Sequence, residues 1–188
     1  MERKRLKGQF FILGALALAI AFYIGLNIPE KIHTPHADDL VFMSRNMKKD
    51  LPLALNLGLM DDTGVQTLNN FTLFSKSVMR GHYINYSLVW AVVETLPGGQ
   101  INVTVGNYWG EDLDINMNVN DVNQPVSGIL DSSTFTTQFP PVGAPFYNFT
   151  LEFGEENRTV EFANEKVNLY SLIELKRGEA LIREEIAA

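Results

Sequence analysis

Between Lys7 and Glu30 the chain carries no charged residue, and the heart of that interval, Phe10 to Ile28, reads FFILGALALAIAFYIGLNI. A helix over these 19 residues rises about 28 Å at about 1.5 Å per residue, close to the roughly 30 Å hydrocarbon core of a bilayer. The stretch predicts a transmembrane α-helix, closed by Pro29. Whatever follows must fold as a body attached to it.

Charge supplies the orientation. The first seven residues hold four basic side chains and one acidic, a balance of +3, so a total of −7 leaves −10 for the remainder. Basic residues beside a span stay in the cytoplasm, so the acidic body is expected outside. An acidic body has no basic patch for phosphates, and nucleic acid is therefore not an expected partner. The chain contains no cysteine, which removes disulfides, thiolate metal sites and a cysteine nucleophile. About 160 residues beyond the span are enough for one ordinary domain and short for two.

Three fates of the apolar segment compete. One is a retained single-pass anchor. A second is a cleaved secretory signal, but the core is long and Gly25-Leu26-Asn27-Ile28-Pro29 offers no good small-residue pair. The third comes from Lys7-Gly8-Gln9 set directly before the apolar run. That border resembles the class III signals of archaeal type IV pilin-like precursors. The resemblance covers about 20 residues and implies cleavage after Gly8, leaving Gln9 as the new N-terminus of a filament subunit. The family's usual Glu five residues into the mature chain falls on Leu13, and its small polar third residue on Phe11.

Beyond the span the reading is a linker and helical stalk over residues 29–82, then a β domain over 83–188, with residues 1–9 as the cytoplasmic segment. Leu40, Val41, Met43, Met47 and Leu51 recur at helical spacing, and Pro52 is expected to kink or end that helix. Met60-Asp61-Asp62-Thr63-Gly64 is a turn. Val65 to Arg80 reads as a second helix with Leu68, Phe71, Leu73, Phe74 and Val78 on its apolar side. From Tyr83 onward the period drops to two, and short strands broken by Pro, Gly and Asn clusters recur at near-regular intervals. The fold class expected is thus an N-terminal transmembrane α-helix, one or two short helices, and an antiparallel all-β sandwich of about seven to nine strands.

Motifs of catalysis are missing: there is no Gly-x-Ser-x-Gly elbow, no P-loop, no Gly-x-Gly-x-x-Gly and no His-Glu-x-x-His. His33 and His36 with Asp38 and Asp39 read as a solvated linker and helix cap. The Asp112, Asp114, Asn116, Asn118, Asn120 series alternates with Leu113, Ile115, Met117 and Val119, which demands an extended strand and not a calcium loop. No enzyme and no cofactor is expected. One feature exceeds chance. Asn-x-Ser/Thr sequons fall at Asn70, Asn85, Asn102, Asn148 and Asn157, where 16 Asn and 19 Ser plus Thr among 188 residues predict about 1.6. All five lie on the side expected outside, and at Asn102 and Asn148 the sequon face is the one opposite the hydrophobes. The function expected is a membrane-anchored, extracytoplasmic structural or interaction protein of the cell envelope. Its partners are the lipid bilayer and other envelope proteins or itself.

Overall fold

Asn85–Thr95 (β1) reads NYSLVWAVVET, and every residue from Leu88 to Val93 is buried. A strand with one wet face alternates; a run buried without interruption is covered on both faces. The computed structural model, which describes residues 37–188, shows what covers each face.

Nine strands follow in order among the described residues: β1, Ile101–Tyr108 (β2), Leu113–Val119 (β3), Val122–Ile129 (β4), Ser133–Phe139 (β5), Phe146–Phe153 (β6), Glu156–Ala163 (β7), Val167–Arg177 (β8) and Ala180–Ala187 (β9). They form a five-stranded sheet, β5-β2-β1-β8-β9, and a four-stranded sheet, β4-β3-β6-β7. Every pairing is antiparallel. The expected sandwich is present. Its inner core takes Val89, Ala91 and Val93 from β1, Val103 and Val105 from β2, and Met117, Phe149 and Leu151 from the facing sheet. Phe149 stacks on Phe162 with ring centroids 5.7 Å apart.

The other face of β1 lies under two helices, Ala37–Leu59 (α1) and Gly64–Gly81 (α2). Leu40, Met47, Leu51, Leu55 and Leu68 press onto Tyr86, Leu88, Trp90 and Tyr108 of the sheet. The helices are therefore a third layer of one compact unit and not a stalk. Apolar burial explains the correction, because the outward face of β1 and β8 is as hydrophobic as the inward one and needs a cover. Trp90 lies flat across Gly106: a Cβ there would sit 2.2 Å from the indole Cε2, so the position holds only glycine without rearrangement.

Several local expectations change. Pro52 neither ends nor splits α1, which runs through it. Leu51 before it and Ala54 and Leu55 after it are all buried, and this burial offsets the roughly 3 kcal/mol that a proline costs inside a helix. Leu73, Phe74 and Val78 do not join the apolar side of α2; all three are exposed. The third strand stops at Val119, because Asn120 and Asp121 both adopt positive φ (45° and 67°) and turn the chain tightly into β4. The transmembrane helix expected at Phe10 to Ile28 lies outside the described residues. Among the described residues no helix is long and apolar enough to cross a membrane.

Polar contacts close both open sides of the sandwich. On one side Gln124 of β4 donates to the Gln138 carbonyl of β5 at 3.0 Å. On the other, Arg183 of β9 reaches Glu156 of β7 at 2.6 Å and Glu174 of β8 at 2.7 Å, and Arg158 pairs with Glu156 at 3.0 Å. The Lys76 ammonium of α2 bonds both carboxylate oxygens of Asp131, at 2.9 and 3.1 Å, which ties the helix layer to the crossover between the sheets.

Candidate functional site

The outer face of the four-stranded sheet brings together two of the five sequons and the end of the Asp/Asn series. Alternation in β3, β6 and β7 puts one residue in two outward. On this face Asn118, Asn120, Asp121, Asn148, Thr150, Glu152, Asn157 and Thr159 line an open trough of about 450 Å³. The strand register sets Thr150 opposite Thr159 and Glu152 opposite Asn157. The two threonine hydroxyls share a hydrogen bond of 2.8 Å. Glu152 accepts from the Asn157 amide at 2.8 Å and from the Asn116 amide at 2.9 Å. The sequons at Asn148 and Asn157 thus meet on neighbouring strands of one surface. Asn148 and Asn157 are both exposed.

The other three sequons lie apart. Asn70 is exposed on α2, while its Thr72 is buried and donates back to the Leu68 carbonyl at 2.8 Å. Asn85 is exposed at the start of β1, and its Ser87 donates to the Trp109 carbonyl at 2.8 Å. Asn102 is half-buried and donates to Glu94 at 2.7 Å, because the sheet face expected to be wet is roofed here by the helix layer. Gly8 and Gln9, the candidate cleavage residues, lie outside the described residues, as do His33 and His36.

The Asp/Asn series of β3 spends its side chains on the protein itself. Asp112 accepts from the Asp131 amide at 3.0 Å, Asp114 from the Gly128 amide at 2.8 Å, and Asn120 from the Asn148 amide at 3.0 Å. These are bonds that hold turns in place. No group of three His, Asp or Glu side chains among the described residues is arranged to hold a metal.

A second cleft, of about 530 Å³, opens between α2 and the five-stranded sheet beside Asp62, Gln66, Asn69, Val92 and Glu94. Asn69 of its lining accepts a hydrogen bond from the Tyr108 hydroxyl through its side-chain oxygen. Burial, with the Asp131 charge added, pushes the Tyr108 phenol up to about 12 and keeps it neutral at physiological pH. Burial likewise raises Tyr147 to about 12, against the opposing effect of its bond from Asn168, and raises Tyr86 further still. These phenols are neutral groups fixed in a core, not acids poised to exchange protons.

A third surface escaped the sequence reading. The ten charges of residues 37–82 divide evenly, five acidic and five basic, whereas residues 83–188 hold fifteen acidic and five basic. The whole −10 therefore belongs to the strands, and the helix layer is neutral. Its outward side is also apolar, with Phe42, Leu53, Leu57, Leu73, Phe74 and Val78 exposed. The sequence did carry a signal, since α1 and α2 have more apolar positions than a single buried stripe can accommodate. Comparison with family models, curated proteins and solved structures yields no match for this chain.

Proposed function

We propose that the chain is a non-catalytic protein of the cell envelope, anchored by Phe10 to Ile28 with its basic end in the cytoplasm and its three-layer body displayed outside. The observation that carries this reading is the division of charge about the apolar stretch: +3 before it, none within it, and −10 after it. Two exposed sequons on one sheet face accord with exposure to an extracytoplasmic glycosylation system, and Asn148 and Asn157 are the sites best placed to carry glycans. The role is structural or adhesive, through contacts with other envelope components or with copies of itself. Protease added to intact cells and to inverted vesicles tests the topology. Cleavage of the body only in inverted vesicles would overturn it.

The Lys7-Gly8-Gln9 border favours one alternative, a pilin-like subunit cut after Gly8. Sequencing the native N-terminus separates the two. Met1 or Glu2 marks an anchor; Gln9, with filaments under the electron microscope, marks a pilin.

A further inference from the structure

We propose that the outer face of the α1–α2 hairpin lies on the membrane surface, so that the body is docked flat against lipid through its helix layer. The inference rests on the anchored reading above and goes beyond it by assigning the surface and its occupant.

Helical spacing sorts the side chains. On α1, Leu40, Ser44, Met47, Leu51, Leu55 and Gly58 recur every three or four residues and are buried against the sheet. The opposite stripe is Phe42, Arg45, Lys49, Leu53 and Asn56, continued at Met60 beyond the helix end. On α2 the buried stripe is Leu68, Thr72, Ser75 and Met79, and the opposite side carries Asn70, Leu73, Ser77 and Arg80, flanked by Phe74. The exposed apolar side chains are large: Phe42 and Phe74 are each 66% exposed, Leu53 54% and Met60 82%. No interior packing requires them, and water alone does not favour them.

What covers them is set by charge and by chain length. Arg45, Lys49 and Arg80 are exposed among these apolar side chains. Phe and Leu interleaved with Arg and Lys is the composition of a helix resting at a lipid interface, with rings and aliphatic chains in the headgroup boundary and cations among anionic headgroups. The acidic strands are on the far side of the helix layer, where an anionic surface would repel them least. Chain length adds a bound. Residues 29–36 are eight in number, and even fully extended they reach no more than about 30 Å. The first turn of α1 is thus tethered within about 30 Å of the point where a span ending at Ile28 leaves the bilayer. The effective concentration of lipid at the helix face is correspondingly high.

The proposal carries a corollary for glycosylation. Asn70 lies on the outward side of α2, and a glycan there cannot coexist with lipid contact. Its sequon is expected to be empty even where Asn148 and Asn157 are occupied.

The absence of cysteine makes the test direct. Full-length chains bearing Leu53→Cys, Phe74→Cys or Thr159→Cys are spin-labelled and placed in nanodiscs of phosphatidylcholine with one-third phosphatidylglycerol. Collision with oxygen, which concentrates in lipid, is compared with collision with a water-soluble nickel chelate. The oxygen-to-nickel ratio at positions 53 and 74 is expected to exceed that at 159 by about threefold or more. Equal ratios in a chain that stays in the disc overturn the docking and leave the anchor intact. A chain that does not stay in the disc overturns both. Labels at 53 and 74 shielded from both reagents, with spin coupling between copies, overturn the lipid contact in favour of self-association. A glycan found on Asn70 of the native protein overturns it as well.

Discussion

The five-stranded sheet is covered twice, and the two covers differ. Against the four-stranded sheet, β1 and β2 bury an almost wholly aliphatic and aromatic set. Against the helices, the same strands bury Tyr86, Trp90 and Tyr108, with Ser44, Thr72, Ser75 and Ser171 among them. Within that second layer the Ser44 hydroxyl, the Tyr86 hydroxyl, the Trp90 indole nitrogen and the Ser171 hydroxyl have no hydrogen-bond partner in the described protein. Each such group costs about 1–3 kcal/mol relative to a satisfied one. The sheet–sheet core holds one such group, the Tyr170 hydroxyl, against four in the helix layer, so the helix layer is the part the molecule can more readily loosen.

The largest effect expected of breaking this comparison comes from Trp90→Ala. It empties the centre of the helix–sheet layer and is expected to cost about 3–5 kcal/mol in urea denaturation of the full chain in detergent. Phe149→Ala in the other core costs a similar amount, but the two separate in hydrogen exchange. The Trp90 variant should speed exchange in α1 and α2 well before β3 and β6, whereas the Phe149 variant should speed both layers together. Uniform acceleration in the Trp90 variant would mean that the layers open as one.

Next in size is Gly106→Ala, whose new methyl group would collide with the Trp90 ring. A loss of about 1–3 kcal/mol is expected, with a shift in tryptophan emission. Pairing it with Trp90→Leu should recover part of the loss, and strict additivity of the two variants would remove the contact from the account.

Ser44→Ala sharpens the comparison from the opposite direction. It removes an unpartnered buried hydroxyl from a helix, and a gain of about 0.5–1 kcal/mol is expected from denaturation midpoints. A loss instead would show that the hydroxyl is satisfied in solution.

The smallest effect concerns the tie between the layers. Burial raises the Asp131 carboxyl, but bonds from Lys76, the Gly110 amide and Ser132, with the Lys76 charge, outweigh it and leave the group below its ordinary 3.8. A folded value below the unfolded one means that the tie stabilises above pH 3.8 and fades as pH falls through the folded value. Asp131→Asn should therefore cost up to about 1 kcal/mol at pH 6, and the penalty should shrink as the pH falls below 3.8. A penalty constant with pH would assign the residue's role to its shape and not its charge.

Period-two alternation from Tyr83 onward announced a series of short strands, since turn chemistry at Pro97-Gly98-Gly99, Gly154 and Gly178 is local and strong. The division of nine strands into two sheets was not legible, because it depends on which strands cross between layers. The unbroken apolar run Leu88 to Val93 was the unread signal of a doubly covered strand, and the helices were the cover at hand. What misled was Pro52, whose intrinsic cost yields to burial on either side of it. The candidate site was half legible. Sequons are a local pattern, but the meeting of Asn148 with Asn157 needs the register of β6 and β7, and the bare helix face needs to be seen beside the buried one.

The strands at the margins of the two sheets have a consequence for crowding. Proline at 125 and the turn of backbone at Gly128 interrupt β4, β5 lies beside β4 through Gln124 and Gln138, and β7 and β9 carry the Arg158, Glu156 and Arg183 pairs. None of these four margins offers a long, bare ladder of amides and carbonyls to a neighbouring chain. Molecules packed side by side at high density would have no ready template for runaway strand-to-strand fibre growth. An array joined at these four margins would be held through side chains.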